Sequence, residues 1–216
     1  RITADKLLAA MRDNWDGHEP LRQQLLKLPK YGNDIDEVDT ICTRLTDEFI
    51  SLMDQQRSPL DGRYFVHLFT FLLNISFGKA VGALPDGRKA GAPLAYSLSA
   101  HQGRDQEGLT AMLKSLSKHP HNRAAAGSAA IIDIHPSLLA GENGAVMLTS
   151  LIKSALDMGV GQLQFNVTTV EKLEQAKADP ENYGNIPVRV AGYSQMFRLI
   201  NSELQDHIIA RHKHTA

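Results

Sequence analysis

"GQLQFNVTTVEKLEQAKADPENYGNIPVRVAGY", residues 161–193, carries the pattern on which the fold turns. Its first nine residues alternate apolar and polar side chains, as a half-buried strand does. "VEKLEQAKADPENYG" follows as a short helix ended before Pro180, because the residue ahead of a proline is driven out of helical geometry. "PVRVAGY" is extended again. Strand, helix and extended segment in succession are the mark of an α/β arrangement. Upstream, "SAAIIDIHPSLL" (128–139) contains a buried strand ending at Pro136. "NGAVMLTSLIKSALDMG" (143–159) is a helix stopped at Gly159. "LTAMLKSLSKH" (109–119) is a shorter helix. Downstream, "NSELQDHIIARHKH" (201–214) is an amphipathic terminal helix with Leu204, Ile208 and Ile209 on its apolar face and Asn201 or Ser202 as its cap.

The N-terminal third has a different texture and reads as helical. Thr3 caps "ADKLLAAMRDNW", with Leu7, Leu8 and Met11 on one face, and "EPLRQQLLKL" runs to Pro29. In "KYGNDIDEVDTICTRLTDEFISLMDQQ" (30–56), Ile35, Val38, Ile41, Cys42, Leu45, Phe49, Leu52 and Met53 recur at helical spacing behind a cap at Asn33 or Asp34. "RYFVHLFTFLLNISFG" (63–78) has no clean helical period and reads mostly as strand. "GALPDGRKAGAPLAYSLSAHQGRDQEG" (82–108) is a long ordered loop or a boundary. Neither an internal repeat nor a low-complexity tract is present.

Of the 216 residues, 43% are hydrophobic and 22% charged, and the formal net charge is -1. That supports one domain with a real core, or a large domain with a small one. No basic face for nucleic acid or a membrane surface is expected. No apolar run reaches the roughly 18 residues that span a bilayer. The single cysteine, Cys42, cannot form an internal disulfide, which suits a reducing compartment such as the cytoplasm. The first residue, Arg1, hints at a piece of something longer.

The candidate sites are few. His119 and His121 in "KHPH", and His212 and His214 in "RHKH", lack a Cys or acidic partner at metal-ligand spacing, so solvated surface histidines are the expectation and no metal site is assigned. His135 ends a strand, where a structural hydrogen bond is expected. Cys42 lies on an apolar stripe and reads as a buried, inert thiol. "GKAVGALPDGRKAG" (78–91) matches no phosphate-loop motif; its "PDG" is first of all a turn. No cofactor-binding residues are assigned.

Gly192 remains. A glycine closing a strand ordinarily answers to geometry: a bulge, a tight turn or close packing. It also admits a chemical reading. Its Cα carries two hydrogens and no carbon substituent, so loss of one hydrogen leaves a radical that can flatten and delocalise into the flanking amides. Such a centre needs a dry, enclosed site, which the apolar neighbours could supply. It also needs a movable loop, so that another enzyme can reach it.

At this point several segments converge. "RVAGYSQMFRLINSELQDHIIAR" resembles the C-terminal glycyl radical motif of the pyruvate formate-lyase-like glycyl radical enzymes. "YGNDIDEVD", "PDGRKAGAPLA", "GRDQEGLTAMLKSLSK", "HPSLL" and "QLQFNVTTVEKLEQAKADPENYGNIPVRVAGYS" are similar to that family in the same order, from about Tyr31 to Arg211. The resemblance implies a catalytic role for Gly192 as the radical residue, with Arg189 and Tyr193 in the motif around it. It implies an activating partner that uses S-adenosylmethionine and an iron–sulfur cluster to remove hydrogen from that glycine. The radical then passes to a cysteine thiol, in an anaerobic, cytoplasmic setting. It further implies a homodimer in the full enzyme and no membrane or nucleic-acid partner.

The implied fold is the C-terminal part of a ten-stranded α/β barrel with the glycine loop at its centre. Residues 1–90 would end the barrel domain and 91–216 would be the glycyl radical domain. Pro187 and Gln195 depart from the family pattern, and Cys42 does not match the context of the catalytic cysteine. The chain therefore reads as a C-terminal fragment whose thiol partner lies outside it, the alternative being a stand-alone repair subunit that complements an oxygen-damaged enzyme. "RVAGYS" resembles the dehydratase, decarboxylase and C–N or C–S lyase branches more than pyruvate formate-lyase itself.

Overall fold

A computed structural model describes residues 2–211 and 213–214. The expectation that His212 and His214 are solvated surface histidines therefore falls outside the side chains described. The chain divides into two compact units, each assembled from two stretches of sequence.

The smaller unit comprises residues up to 29 together with 72–94. Helix α1 (Ala4–Arg12) starts where expected, with Thr3 Oγ1 accepting from the Lys6 amide. Helix α2 is Glu19–Leu26. Trp15, Ala10, Leu21, Leu25 and Ala83 make its small core. Helix α4 (Leu73–Ala80, following α3, Asp36–Asp54, of the larger unit) corrects the mostly-strand reading of 63–78, of which only His67–Leu68 forms a strand. Asn74 and Ser76 turn their amide and hydroxyl to backbone carbonyls there, and the apolar run, lacking alternation, carries no strand pattern. In the "PDG" turn, Gly87 donates to the Leu84 carbonyl at 3.1 Å with φ +94°. The next residue, Arg88, is buried, and its guanidinium donates to the carbonyls of Gly78 (2.6 Å), Gly82 (2.8 Å) and Ala92. This basic loop thus folds around its own arginine.

The larger unit comprises 30–71 and 95–216. Helix α3 is Asp36–Asp54 and α5 is Gly108–Ser117. Strand β3 (Ala130–Ile134) lies between β4 (Leu163–Val167) and β7 (Lys213–His214), all parallel. The connection from β3 to β4 runs through α6 (Gly144–Asp157), and Gly159 closes that helix with φ +93°. Strand β1 (His67–Leu68) pairs in parallel with β2 (Gly127–Ser128). Leu109, Leu113 and Leu116 of α5 pack on Ala130, Ile132 and Ile134 of β3 and on Ala155 and Val160, forming the main core. Burial of that surface supplies the driving force. After β4 come α7 (Val170–Ala178), α8 (Pro180–Tyr183), the hairpin of β5 (Pro187–Arg189) and β6 (Ser194–Met196), and α9 (Ser202–Ile209). Pro180 both follows the end of α7 and opens α8, where its missing N–H costs nothing. Asn201 caps α9 by accepting from the Leu204 amide. Behind that helix, the buried Arg211 guanidinium stands 3.9 Å from Asp133 on β3 and 4.6 Å from the Tyr96 ring centroid.

Three expectations are corrected here. Helix α3 begins at Asp36 after an Ile35 cap that makes no side-chain bond. Asn33 is instead spent on Lys30, Arg104, Gln106 and Glu107, and Asp34 on two lysines. The apolar stripe of α3 faces outward: Ile41 (64%), Leu45 (70%), Phe49 and Leu52 are exposed, and Cys42 is only half-buried. The opposite face docks through ions and hydroxyls, because Asp39, Asp47 and Ser51 meet Lys118, Ser115 and Arg123. Finally, His119 and His121 are buried rather than solvated. His119 Nε2 lies 3.1 Å from the Tyr31 hydroxyl, and His121 bridges Ser128 Oγ (2.7 Å) and the Leu116 carbonyl (2.8 Å).

Candidate active site

The β5–β6 hairpin pairs Pro187 with Met196, Val188 with Gln195 and Arg189 with Ser194. Four residues, 190–193, make its tip, and Val190 donates to the Tyr193 carbonyl at 2.9 Å. Gly192 is the third of the four and has φ +79°. That region is open to glycine at little cost and to few other residues. Here geometry alone justifies a glycine.

What holds the tip is less ordinary. Strand β4 turns Leu163 and Phe165 toward the main core and buries Gln164 and Asn166 on its other face. Asn166 grips the Arg189 backbone from both sides. Its Oδ1 accepts from the Arg189 amide at 2.5 Å, and its Nδ2 donates to the Arg189 carbonyl at 3.1 Å. Two positions away, Gln164 Oε1 accepts from Arg189 Nε at 3.0 Å and from the Gly192 amide at 3.2 Å. Both partners are obligate donors, so the oxygen of the Gln164 amide must be the atom facing them. The spacing of two follows from the strand, which puts alternate residues on one face.

Val188, Val190 and Ala191 are buried, whereas Gly192 and Tyr193 are exposed. The expectation that the apolar neighbours enclose the glycine is corrected accordingly: they anchor the hairpin and leave its tip open. A side chain added at Gly192 would meet only Phe69, at 3.6 Å. Phe69 belongs to an aromatic group with His67, stacked at 5.2 Å, and Phe71, edge-on at 4.7 Å. Just past the hairpin, Gln205 of α9 donates to the Phe197 carbonyl at 2.9 Å, fixing the turn into the last helix.

Reading the sequence singled out Gly192, Arg189 and Tyr193, and all three sit on this hairpin. It missed Gln164, Asn166 and Phe69. The first two had a signal: polar residues on the alternate positions of a strand whose other face is apolar. Phe69 had none, being far away in sequence. Pro187 occupies the outer end of β5, away from the tip, and Gln195 accepts its neighbour's amide, Met196, at 2.9 Å. Cys42 lies on α3 and makes no part of the hairpin; burial and then Asp39 raise its thiol pKa, which disfavours a thiolate there. Among the described residues, no three His, Cys, Asp or Glu side chains are placed to hold a metal, and no helix is long and apolar enough to cross a membrane.

Residues 94–198 match the family model described as "Glycine radical", and residues 1–78 match "Pyruvate formate lyase-like". The chain belongs to the pyruvate formate-lyase-like glycyl radical enzymes. It is 37% identical to "Probable dehydratase YbiW" of Escherichia coli K12, over 99% of this chain and 28% of that protein. It is 33% identical to the trans-4-hydroxy-L-proline dehydratase of Clostridioides difficile, over 100% of this chain and 27% of that protein. Among solved structures, the glycerol-bound form of the B12-independent glycerol dehydratase from Clostridium butyricum superposes with a TM-score of 0.94 at 37% identity. It covers 100% of this chain and 27% of the other. A glycyl radical enzyme from Archaeoglobus fulgidus gives 0.92 at 33%, covering 98% and 27%. The chain thus spans roughly a quarter of the length of the glycyl radical enzymes it matches, among which are dehydratases and the isethionate sulfite-lyase of Nitratidesulfovibrio vulgaris, 36% identical over 99% of this chain and 26% of that protein.

Proposed function

We propose that Gly192 is the radical-storage residue of a larger glycyl radical dehydratase or carbon–sulfur lyase, and that this chain supplies its C-terminal portion. The observation that carries the reading is the tip of the hairpin. Gly192 is exposed, has no neighbour closer than an ordinary contact to its open Cα face, and is anchored on its amide side by Gln164. A Cα hydrogen there is reachable by a second protein whenever the remainder of the enzyme leaves the tip uncovered, and the backbone around it is held by Asn166 and the buried Val188 and Val190. The match of residues 1–78 to the lyase-like model supports a part of a full enzyme over a stand-alone repair subunit.

On this reading residues 1–90 end the barrel domain and 91–216 form the glycyl radical domain. An activating enzyme using S-adenosylmethionine and an iron–sulfur cluster removes one hydrogen atom from Gly192. A cysteine outside this chain exchanges a hydrogen atom with the resulting radical and works on substrate, in a cytoplasmic, anaerobic homodimer. Since Gly192 is open in this chain, the enclosure that such a radical needs is supplied by the remainder of the enzyme.

The test is made on the longest natural polypeptide carrying these residues, purified without oxygen and treated with its activating enzyme. Electron paramagnetic resonance is expected to give a doublet from the one hydrogen left on the glycine Cα. Gly192→Ala is expected to abolish it, and admission of oxygen to cut the chain at residue 192. A doublet that survives in Gly192→Ala overturns the assignment.

A further inference from the structure

The structure points to Gln164 as more than a hairpin anchor. Resting on the radical reading of Gly192 above, we propose that Gln164 is a positioning residue that sets how far the unpaired electron spreads from Gly192. The argument is geometric. Once one hydrogen is lost, the Gly192 Cα is planar, and the orbital of the unpaired electron stands perpendicular to the plane of N, Cα and C. Overlap with the π system of the amide on the N side is greatest when φ is near 180° or 0° and vanishes at 90°. At +79° that amide is turned nearly edge-on to the orbital. To conjugate, it must rotate about the N–Cα bond and swing its N–H away from its present direction.

Gln164 opposes that rotation. Its Oε1 holds the Gly192 N–H at 3.2 Å, and the same oxygen is held by Arg189 Nε at 3.0 Å. Gln164 is buried on β4, a strand fixed in register along five residues of β3, so the acceptor cannot follow the rotating amide. Arg189 in turn is fixed by Asn166 at both its amide and its carbonyl. The clamp joins a rigid strand to one side of one peptide unit. While it is closed, the spin is kept off the amide on the N side. When it opens, the amide flattens into conjugation and the radical becomes the more stable and the weaker hydrogen-atom acceptor.

Two readouts test this on the same full polypeptide. In the protein before activation, Gln164→Leu is expected to speed hydrogen–deuterium exchange of the Gly192 amide roughly tenfold, as loss of one buried-acceptor bond implies. Gln164→Glu, which keeps an oxygen facing both donors, leaves it slow. After activation, Gln164→Leu is expected to narrow the Cα hydrogen splitting of the doublet and to slow substrate turnover, while Gln164→Glu restores the wild-type splitting. Should Gln164→Leu not fold, Arg189→Met removes the donor that holds the glutamine oxygen and is expected to give an intermediate narrowing. An unchanged splitting in a variant whose Gly192 amide exchanges fast overturns the clamp and leaves the radical assignment standing. Exchange that stays slow in Gln164→Leu likewise overturns it. Absence of any doublet dependent on Gly192 in the wild type overturns the radical assignment itself, and the clamp with it.

Discussion

At the scale of single residues, Gly192 answers two demands at once. Its positive φ is a turn requirement, and on the radical-storage reading proposed above its bare Cα is what the chemistry needs. Alanine fits the space, with Phe69 at 3.6 Å, and is opposed only by the backbone conformation. The substitution should therefore cost about 1 kcal/mol and leave the fold intact, which makes it a fair control for the radical. His119 shows a separate single-residue effect. Burial first, and then the nearby His121, lower its pKa to about 4, with Asp39 opposing. The unfolded chain thus binds a proton that the folded chain refuses. Stability is complete above the ordinary histidine value of about 6.5 and is lost as pH falls from there toward 4. Urea unfolding should show a loss of roughly 2 kcal/mol from this group between pH 7.5 and 5. His119→Gln cannot take up the proton and should flatten that dependence; an equal slope in the variant would assign the loss elsewhere.

At the scale of elements, legibility in the sequence followed the kind of force at work. Helices α1, α6 and α9 and strands β3 and β4 were readable because apolar period, caps and a stop glycine agree with the packing that forms. The short helix α4 was not, since eight residues with a weak period lack a pattern of their own. Helix α3 was legible as a helix and misleading as to its face, because it packs by charge. Lys118 reaches Asp39 at 2.7 Å, Asp36 at 2.7 Å and Asp34 at 3.0 Å, and Asp39 is fully buried. Ser115 of α5 donates to the same Asp39 oxygen at 2.9 Å. Removing one member of such a group strands a buried charge. Lys118→Met is expected to cost about 3 kcal/mol, and the double change with Asp39→Asn to recover most of it. Equilibrium unfolding of the three variants decides; equal losses in the single and double variants would mean that the contact is incidental.

At the scale of the whole molecule, the outward stripe of α3 is the unresolved demand. Ile41, Leu45, Phe49 and Leu52 expose more than half of their surface along one face of a 19-residue helix. The period of this stripe was legible; that it faces away from the core of the described residues was not. A contiguous apolar face of this kind marks an interface. The glycyl radical enzymes that this chain matches are almost four times its length, which gives the face a candidate cover. The 216-residue chain alone should therefore self-associate through α3. Replacing Leu45 and Phe49 by glutamate should render it monodisperse by sedimentation at unchanged thermal stability, because neither side chain supports the core of the isolated chain. In a full-length polypeptide the same pair should lower the melting temperature, since there the face is packed and charge would be buried. If the pair proved harmless in both settings, α3 would be a solvated helix, and the cover would have to be sought elsewhere on the chain.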